Sequence, residues 1–230
     1  MQSPLLKKVA AATFLIRQGG IRPEMEDGML TGLRESSVNN LQLNAGLFLV
    51  NFDYSAARNA NELKELIADE ILNGSGMLGA TRGGGTFQAK PEVRQIEADG
   101  ARYAYKGGMV NDRWVVKMTG TMLEVTPWNF ANVLMCGDIT RKNSVTTLRT
   151  RTDIRTGDYI THLCWVGDTN YGFVLIELDN ALNLSGAAFT FTDKGEGTLP
   201  FEFQAHQESC EDSEYAPFRI LFFEETGVVQ

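Results

Sequence analysis

A chain of 230 residues with 43% hydrophobic and 22% charged residues has an ordinary globular composition, long enough for one sizeable core and unsuited to wholesale disorder. Its 21 basic and 29 acidic residues leave a formal net charge of −8, which argues against a protein that grips nucleic acid through its phosphates. It does not exclude a protein past which nucleic acid slides without sticking, since like charge repels it.

Residues 1–40 differ in composition from the rest of the chain. Short apolar runs alternate with Gly19-Gly20, Pro23, Gly28 and Gly32, and no period is sustained. Lys7 and Lys8 precede Val9-Ala-Ala-Ala-Thr-Phe-Leu-Ile16, but Arg17-Gln-Gly-Gly20 stands where a secretory signal would carry its small-residue cleavage pattern. We read 1–40 as an N-terminal extension or arm without its own core, and 41–230 as one domain. No apolar run reaches the roughly 20 residues a membrane helix needs. Cys136, Cys164 and Cys210 are far apart and odd in number, as reduced thiols would be.

Strand-like sequence begins at Leu41-Gln-Leu-Asn-Ala-Gly-Leu-Phe-Leu-Val50, which starts as an alternation and ends apolar on both faces. Asn59 with Glu62 three residues on predicts a helix start, Leu63, Leu66, Ile67 and Ile71 form one apolar stripe, and Asn73-Gly74 ends it. A glycine-rich connection, 74–85, leads into an amphipathic strand over 86–95. There Phe87, Ala89 and Val93 oppose Thr86, Gln88, Lys90, Glu92 and Arg94, and Pro91 predicts an edge or a bend. After a turn at Asp99-Gly100, residues 113–125 alternate again, with Trp114, Val116, Met118 and Met122 against Lys117, Thr119 and Thr121. Thr126-Pro127 caps a short helix ending near Cys136-Gly137. Strands are expected over 145–155, 159–166, 171–179, 186–193, 198–207 and 218–224, with Tyr171–Glu177 central because both of its faces are apolar. In 198–207, Leu199, Phe201, Phe203 and Ala205 share one face and Thr198, Glu202, Gln204 and His206 the other. Many short strands and one good helix predict a mainly β fold, a sandwich or partial barrel with a helix on one flank.

No motif assembles a catalytic or cofactor site. Gly74-Ser-Gly-Met-Leu-Gly79 matches G-x-G-x-x-G, but a helix precedes it where a strand belongs. Gly83-Gly-Gly85-Thr86 lacks the lysine of a phosphate loop. His162 and Cys164 share a strand face, and two ligands make no metal site. With two histidines and no G-x-S-x-G, a nucleophile with its base is hard to build, and nothing here indicates an enzyme, a cofactor or a metal. Two charge clusters stand out: Arg141, Lys142, Arg149, Arg151 and Arg155 against Asp153, and Glu208, Glu211, Asp212 and Glu214 with no base. They read either as solvated surface or as complementary contacts.

Asn40-Leu-Gln-Leu-Asn-Ala-Gly46, Gly79-Ala-Thr-Arg-Gly-Gly-Gly85, Gln95-Ile-Glu-Ala-Asp-Gly100, Lys117-Met-Thr-Gly-Thr-Met-Leu-Glu-Val125 and Thr192-Asp-Lys-Gly-Glu-Gly-Thr-Leu-Pro200 occur in this order. Over about residues 40–225 the set resembles the tail tube (major tail) proteins of long-tailed bacteriophages with non-contractile tails. The resemblance implies a β-sandwich-like domain whose inner sheets join into one barrel when six copies form a ring. Stacked rings would make the hollow virion tail through which DNA passes without specific binding, with no membrane binding by this chain. Its partners would be other copies and the tape measure, tail terminator and baseplate proteins, with assembly in the host cytoplasm. The extra immunoglobulin-like domain of some members is not expected. Gly83, Gly84, Gly85, Arg149, Arg151, Glu211 and Asp212 become candidate subunit contacts, and Thr119, Thr121, Glu202 and Gln204 candidate lumen-facing residues. An inner tube of a contractile tail or injection device would share the fold, and a soluble ligand-binding β-sandwich would present the same amphipathic strands.

Overall fold

The computed structural model describes residues 41–225, apart from Leu43, Ser75, Ala101, Met135, Cys136, Tyr171 and 210–213. The expected arm at 1–40, and Glu211 and Asp212 with it, lie outside the described residues. The elements are β1 (Leu47–Val50), α1 (Ala60–Asn73), β2 (Thr81–Gln95), β3 (Met109–Met122), α2 (Pro127–Val133), β4 (Gly137–Lys142), β5 (Val145–Thr150), a 3-10 turn (Thr156–Asp158), β6 (Ile160–Thr169), β7 (Gly172–Asn183), β8 (Leu199–Gln204) and β9 (Phe218–Glu224).

The expected mainly β sandwich with a flanking helix is what forms. Every strand pair is antiparallel, in the order β1-β6-β7-β8-β3-β2, with β9 also on β7 and β4-β5 a separate hairpin. The long β7 belongs to both layers. Gly172–Leu178 pairs β9 while the same stretch pairs β6 on its other edge, and Leu182 and Asn183 then pair β8. The handover from β9 to β8 on one edge falls at Asn180, whose φ is 46°, while on the other edge Ala181 still pairs Ile160 of β6. Asn183, fully buried, secures the second sheet: its amide nitrogen donates to Val133 and Gly186 carbonyls, and its oxygen accepts from Glu202 N at 2.7 Å. The described sheets do not close into a barrel within one chain.

The core lies between the two sheets. Phe48, Leu163, Ile176 and Leu178 of the first sheet meet Val116, Met118, Met122, Leu199, Phe201 and Phe203 of the second. A paired absence of side chains makes the closest packing possible. Gly85 and Gly120 sit opposite each other in the β2–β3 ladder. A Cβ on Gly120 would meet the Phe201 ring at 2.5 Å, and one on Gly85 would meet Thr119 O at 2.5 Å and the Phe48 ring at 2.9 Å. Into that space Phe48 and Phe201 pack edge to face, centroids 5.2 Å apart. Along β2, Gly85 lies over β1 while Phe87 stacks on Phe218 of β9, so β2 crosses the first sheet rather than running alongside its strands.

Helix α1 covers the other face of the first sheet. Asn59 caps it as the sequence predicts, accepting from Glu62 N at 3.0 Å, while Glu62 accepts from Arg58 N and Asn59 Nδ2. Ala60, Leu63 and Ile67 are buried against Leu49, Cys164, Val166, Leu175 and Phe223, whereas Ile71 is 52% exposed and leaves the expected stripe. Thr126 caps α2 by accepting from Asn129 N. The buried Asn129 amide nitrogen then donates to the Leu78 and Glu124 carbonyls, tying α2 to the β2 entry.

Several expectations are corrected. The 74–85 connection is not loop throughout: β2 starts at Thr81, and Gly83 and Gly84, both at positive φ, form a bulge inside it. Residues 186–193 form no strand, because only Thr190 and Thr198 exchange backbone bonds around the turn at Asp193-Lys194. The first expected strand shrinks to β1, joined by one bridge from Gln42 to Thr169. The 145–155 strand ends at Thr150, and its partner β4 follows from Asn143, whose φ of 57° permits the tight hairpin. Pro91 lies in an edge strand next to a bulge at Glu92–Val93, so both readings of that proline hold.

Replacing Gly120 with alanine should lower stability by about 1–3 kcal/mol through overpacking against Phe201. Gly157→Ala, where an added Cβ meets nothing within 4 Å, should change it by less than about 0.5 kcal/mol. Urea midpoints of the two variants measure the contrast.

Candidate functional site

Alternation along three adjacent strands builds one largely polar face, interrupted by Val115 and Pro200. With Phe87, Ala89, Trp114, Val116, Met118, Phe201 and Phe203 turned to the core side, the opposite side carries Thr86, Gln88, Lys90 and Glu92 on β2, Arg113, Lys117, Thr119 and Thr121 on β3, and Glu202 and Gln204 on β8. The register places Thr86 beside Thr119 beside Glu202, and Gln88 beside Lys117 beside Gln204. All four candidate lumen-facing residues therefore share one surface, half-buried among their neighbours.

Three cations of this hairpin each have a carboxylate on the neighbouring strand. Lys117 Nζ lies 2.6 Å from Glu202 Oε1, Arg113 Nε 2.6 Å from Glu92 Oε2, and Arg94 Nε 2.8 Å from Asp112 Oδ1. The hydrogen bond from Arg113 holds the Glu92 carboxyl below its ordinary range. A shallow cleft of about 550 Å³ opens between this face and the 185–188 turn, lined by Arg82 to Thr86, Thr119 to Thr121, Ser185 and Glu202. Arg82 closes its rim through Glu196 at 2.7 Å.

The candidate contacts divide. Gly83 and Gly84 have open space on their Cβ side, whereas Gly85 is spoken for by core packing. Arg149 is exposed on β5, opposite Asp138. Arg151 is not: its side chain is 14% exposed and is held by Asp138 and Asp158, and this hydrogen bond lowers the Asp158 carboxyl. The basic cluster thus loses much of its excess charge to carboxylates of its own hairpin and turn, a pairing that a window of 141–155 could not reveal. Arg155 likewise binds Asp153. Glu208 accepts from Asn180 Nδ2 at 2.9 Å.

Sequence reasoning missed one group. Glu177, on the central strand, is 1% exposed on the α1 side of the first sheet. Its Oε2 accepts from Tyr54 and lies 2.7 Å from Arg219 Nη2, and its Oε1 lies 2.7 Å from His162 Nδ1. Asp179 stands 3.7 Å from the same imidazole nitrogen. Burial raises the Tyr54 hydroxyl and the Cys164 thiol, and in each case Glu177 adds to it. The Asp179 carboxyl is raised by burial first and by Glu177 second. His162, Glu177 and Asp179 place three ligating atoms within 4.8 Å of one another. Arg219 and Tyr54 already occupy the buried carboxylate, so the cluster is a charge network first. The signal available in the sequence was the single anion ending Gly172-Phe-Val-Leu-Ile-Glu177, paired in register with Arg219.

The G-x-G-x-x-G stretch follows α1 and leads into β2, the reverse of the strand-then-helix order a dinucleotide requires. Among the described residues, no helix is long and apolar enough to cross a membrane. Comparison with known proteins returns no matching family model and no matching curated protein.

Arg219→Ala would leave Glu177 buried with one charge partner fewer and should cost about 1.5–3 kcal/mol, read by chemical denaturation. A folded-state carboxyl pKa above the unfolded one stabilises below the unfolded value, 3.8 for aspartate, and that contribution is lost as pH rises through the folded value. Asp179→Asn should therefore be more stable than the wild type at pH 7 and indistinguishable from it near pH 3, as the same melts at both pH values will tell.

Proposed function

We propose that this chain is a structural virion protein: the subunit that self-assembles into stacked hexameric rings forming the hollow tail tube of a long-tailed, non-contractile bacteriophage, through which DNA passes. The observation that carries the reading is the polar face of β2, β3 and β8, where two of three cations, Arg113 and Lys117, are each matched by a carboxylate at 2.6 Å and the third, Lys90, stands near Glu92. A wall of this kind stays wet yet offers phosphates no uncompensated cationic track. The ordered motifs that resemble tail tube proteins run through it, since 79–85, 95–100, 117–125 and 192–200 are the ends, turns and middle of these three strands.

The sheet also has the free edge that ring closure requires. β2 ends the strand order along all of its 15 residues, and joining it to a sheet of the next copy would convert a hazard into a paired ladder. Beyond β8, the far half of the β2–β3 hairpin carries Val93, Ile96, Tyr105 and Met109, each at least 42% exposed, as apolar contact for further copies. In this reading the inner sheets of six copies form one barrel, and tape measure, terminator and baseplate proteins meet its bore and ends. Assembly takes place in the host cytoplasm.

Sedimentation and electron microscopy of the purified full chain test the proposal. Rings or tubes should appear as concentration rises, and a strictly monomeric species over a wide range, with no ring in any field, would overturn it. A second measurement tests the bore. Tubes carrying Glu92→Gln and Glu202→Gln, with Arg113 and Lys117 released, should retain DNA in a salt-dependent way, gaining about one unit of log–log salt slope for each phosphate held. Equal DNA retention by wild-type and double-variant tubes would place this face away from the DNA.

A further inference from the structure

Alternation on two paired strands gathers a ligand set that neither strand holds alone. His162 and Cys164 on β6, and Glu177 and Asp179 on β7, share the α1 side of the first sheet, because the members of each pair are two residues apart. In register, His162 lies beside Asp179 and Cys164 beside Glu177. In the sequence His162 and Cys164 offer two ligands and no site; in the fold the imidazole meets the two carboxylates across the ladder instead. Its Nδ1 lies 2.7 Å from Glu177 Oε1 and 3.7 Å from Asp179 Oδ1. That nitrogen is enclosed and makes no hydrogen bond, since the 2.7 Å approach lacks the direction a hydrogen bond needs. Three ligating atoms thus converge within 4.8 Å without satisfying one another.

We propose that His162, Glu177 and Asp179 bind a zinc ion, through one imidazole nitrogen and one oxygen of each carboxylate. The spacings fit. Two ligands about 2.0–2.1 Å from zinc stand about 3.3 Å apart at a tetrahedral angle, and the observed 2.7 and 3.7 Å bracket that value. The donor chemistry selects a zinc-like ion, because imidazole suits such ions, whereas calcium and magnesium seek oxygen alone. Charge agrees. Arg219 compensates one of the two carboxylates from the side of Glu177 Oε2, which leaves Oε1 and Asp179 to the ion. Tyr54 donates to the same Oε2, so Glu177 is oriented from behind, as zinc ligands usually are. The imidazole is placed by its backbone: His162 N donates to Asn51 Oδ1 at 3.1 Å, and Asn51 N to His162 O at 2.6 Å. Side-chain exposures of 42% at His162 and 32% at Asp179 give the ion a way in and leave its fourth position to water. The Cys164 thiol stays out of the set, wholly buried in the apolar layer under α1. Bound there, the ion ties β6 to β7 and, through Glu177 and Arg219, to β9. The site belongs to a single chain and does not depend on tube formation.

Calorimetric titration of the chelator-stripped full chain with Zn²⁺ tests the site. One ion per chain should bind, and the melting temperature should rise with zinc concentration. His162→Ala and Asp179→Asn, both at partly exposed side chains and checked for folding by circular dichroism, should each bind at least about tenfold more weakly and lose that rise. His206→Gln, at the chain's other histidine, should titrate like the wild type. Cobalt in place of zinc should give visible absorption without a thiolate charge-transfer band. Unchanged binding in His162→Ala overturns the proposal, and so does a thiolate band, which would put the metal on a cysteine. A wild type that binds no zinc overturns it too, and leaves His162 a partner of the two carboxylates only. Rings formed by a chain that binds no zinc would sink this inference alone, and a zinc-binding chain that never assembles would sink only the tube.

Discussion

Everything in the fold depends on β7 serving two sheets. Its first half must satisfy hydrogen bonds on both edges, to β6 and β9, and its last residues must turn away and receive β8. A buried strand cannot change partners without leaving backbone groups unpaired at the switch, and unpaired buried groups are costly. Asn180 and the residues around it resolve the difficulty. Asp179 N donates to Pro217 O, His206 N donates to Asp179 O, and Asn180 accepts positive φ. The Asn183 side chain then completes four hydrogen bonds, with α2, β8 and the 185–186 turn. The second sheet hangs from this corner, so the orientation of the polar face is a consequence of the handover.

With the sheets crossing, their contact must be compact, and the glycine pair Gly85/Gly120 makes it so by giving Phe48 and Phe201 the room of two missing Cβ atoms. The same residues therefore have opposite meanings on the two sides of one ladder. On the core side the absence of side chains is filled by rings. On the polar side the neighbours Thr86, Thr119 and Thr121 leave a shallow, open surface. Charge is handled by the same geometric rule: cross-strand pairing puts each carboxylate within reach of a cation, and exposed pairs of this kind set local neutrality more than stability. The buried counterpart is Glu177, which accepts from Tyr54 and pairs with Arg219, with the His162 ring and Asp179 beside it beneath α1.

A 15-residue edge strand is a long template for indiscriminate pairing. β2 blunts its own edge with Pro91, which cannot donate, and with bulges at Gly83–Gly84 and Glu92–Val93 that break the flat template. These devices limit indiscriminate pairing while leaving the middle of the strand straight. A partner that matches the interrupted pattern is favoured over one that does not, which is how an edge becomes specific.

Sequence by itself determined the periodic parts of this protein. The alternations in 86–90, 113–122 and 198–204 set which face of each strand is buried, the Asn59 and Thr126 caps set where two helices begin, and the central place of β7 followed from apolar residues on both of its faces. Those signals are local, written in neighbours two to four positions apart. Tertiary structure alone decided what depends on partners distant in sequence. The 137–142 strand exists because a hairpin at Asn143 folds it onto β5, and 186–193 fails as a strand because no ladder is available to it. Arg151 is neutralised by Asp138 and Asp158 from outside its own cluster, Gly85 serves a phenylalanine 37 positions away, and Glu177 is a buried anion because Tyr54 and Arg219 arrive from opposite ends of the chain. A backbone period reports on which side a residue points, and only the assembled fold decides what stands there to meet it.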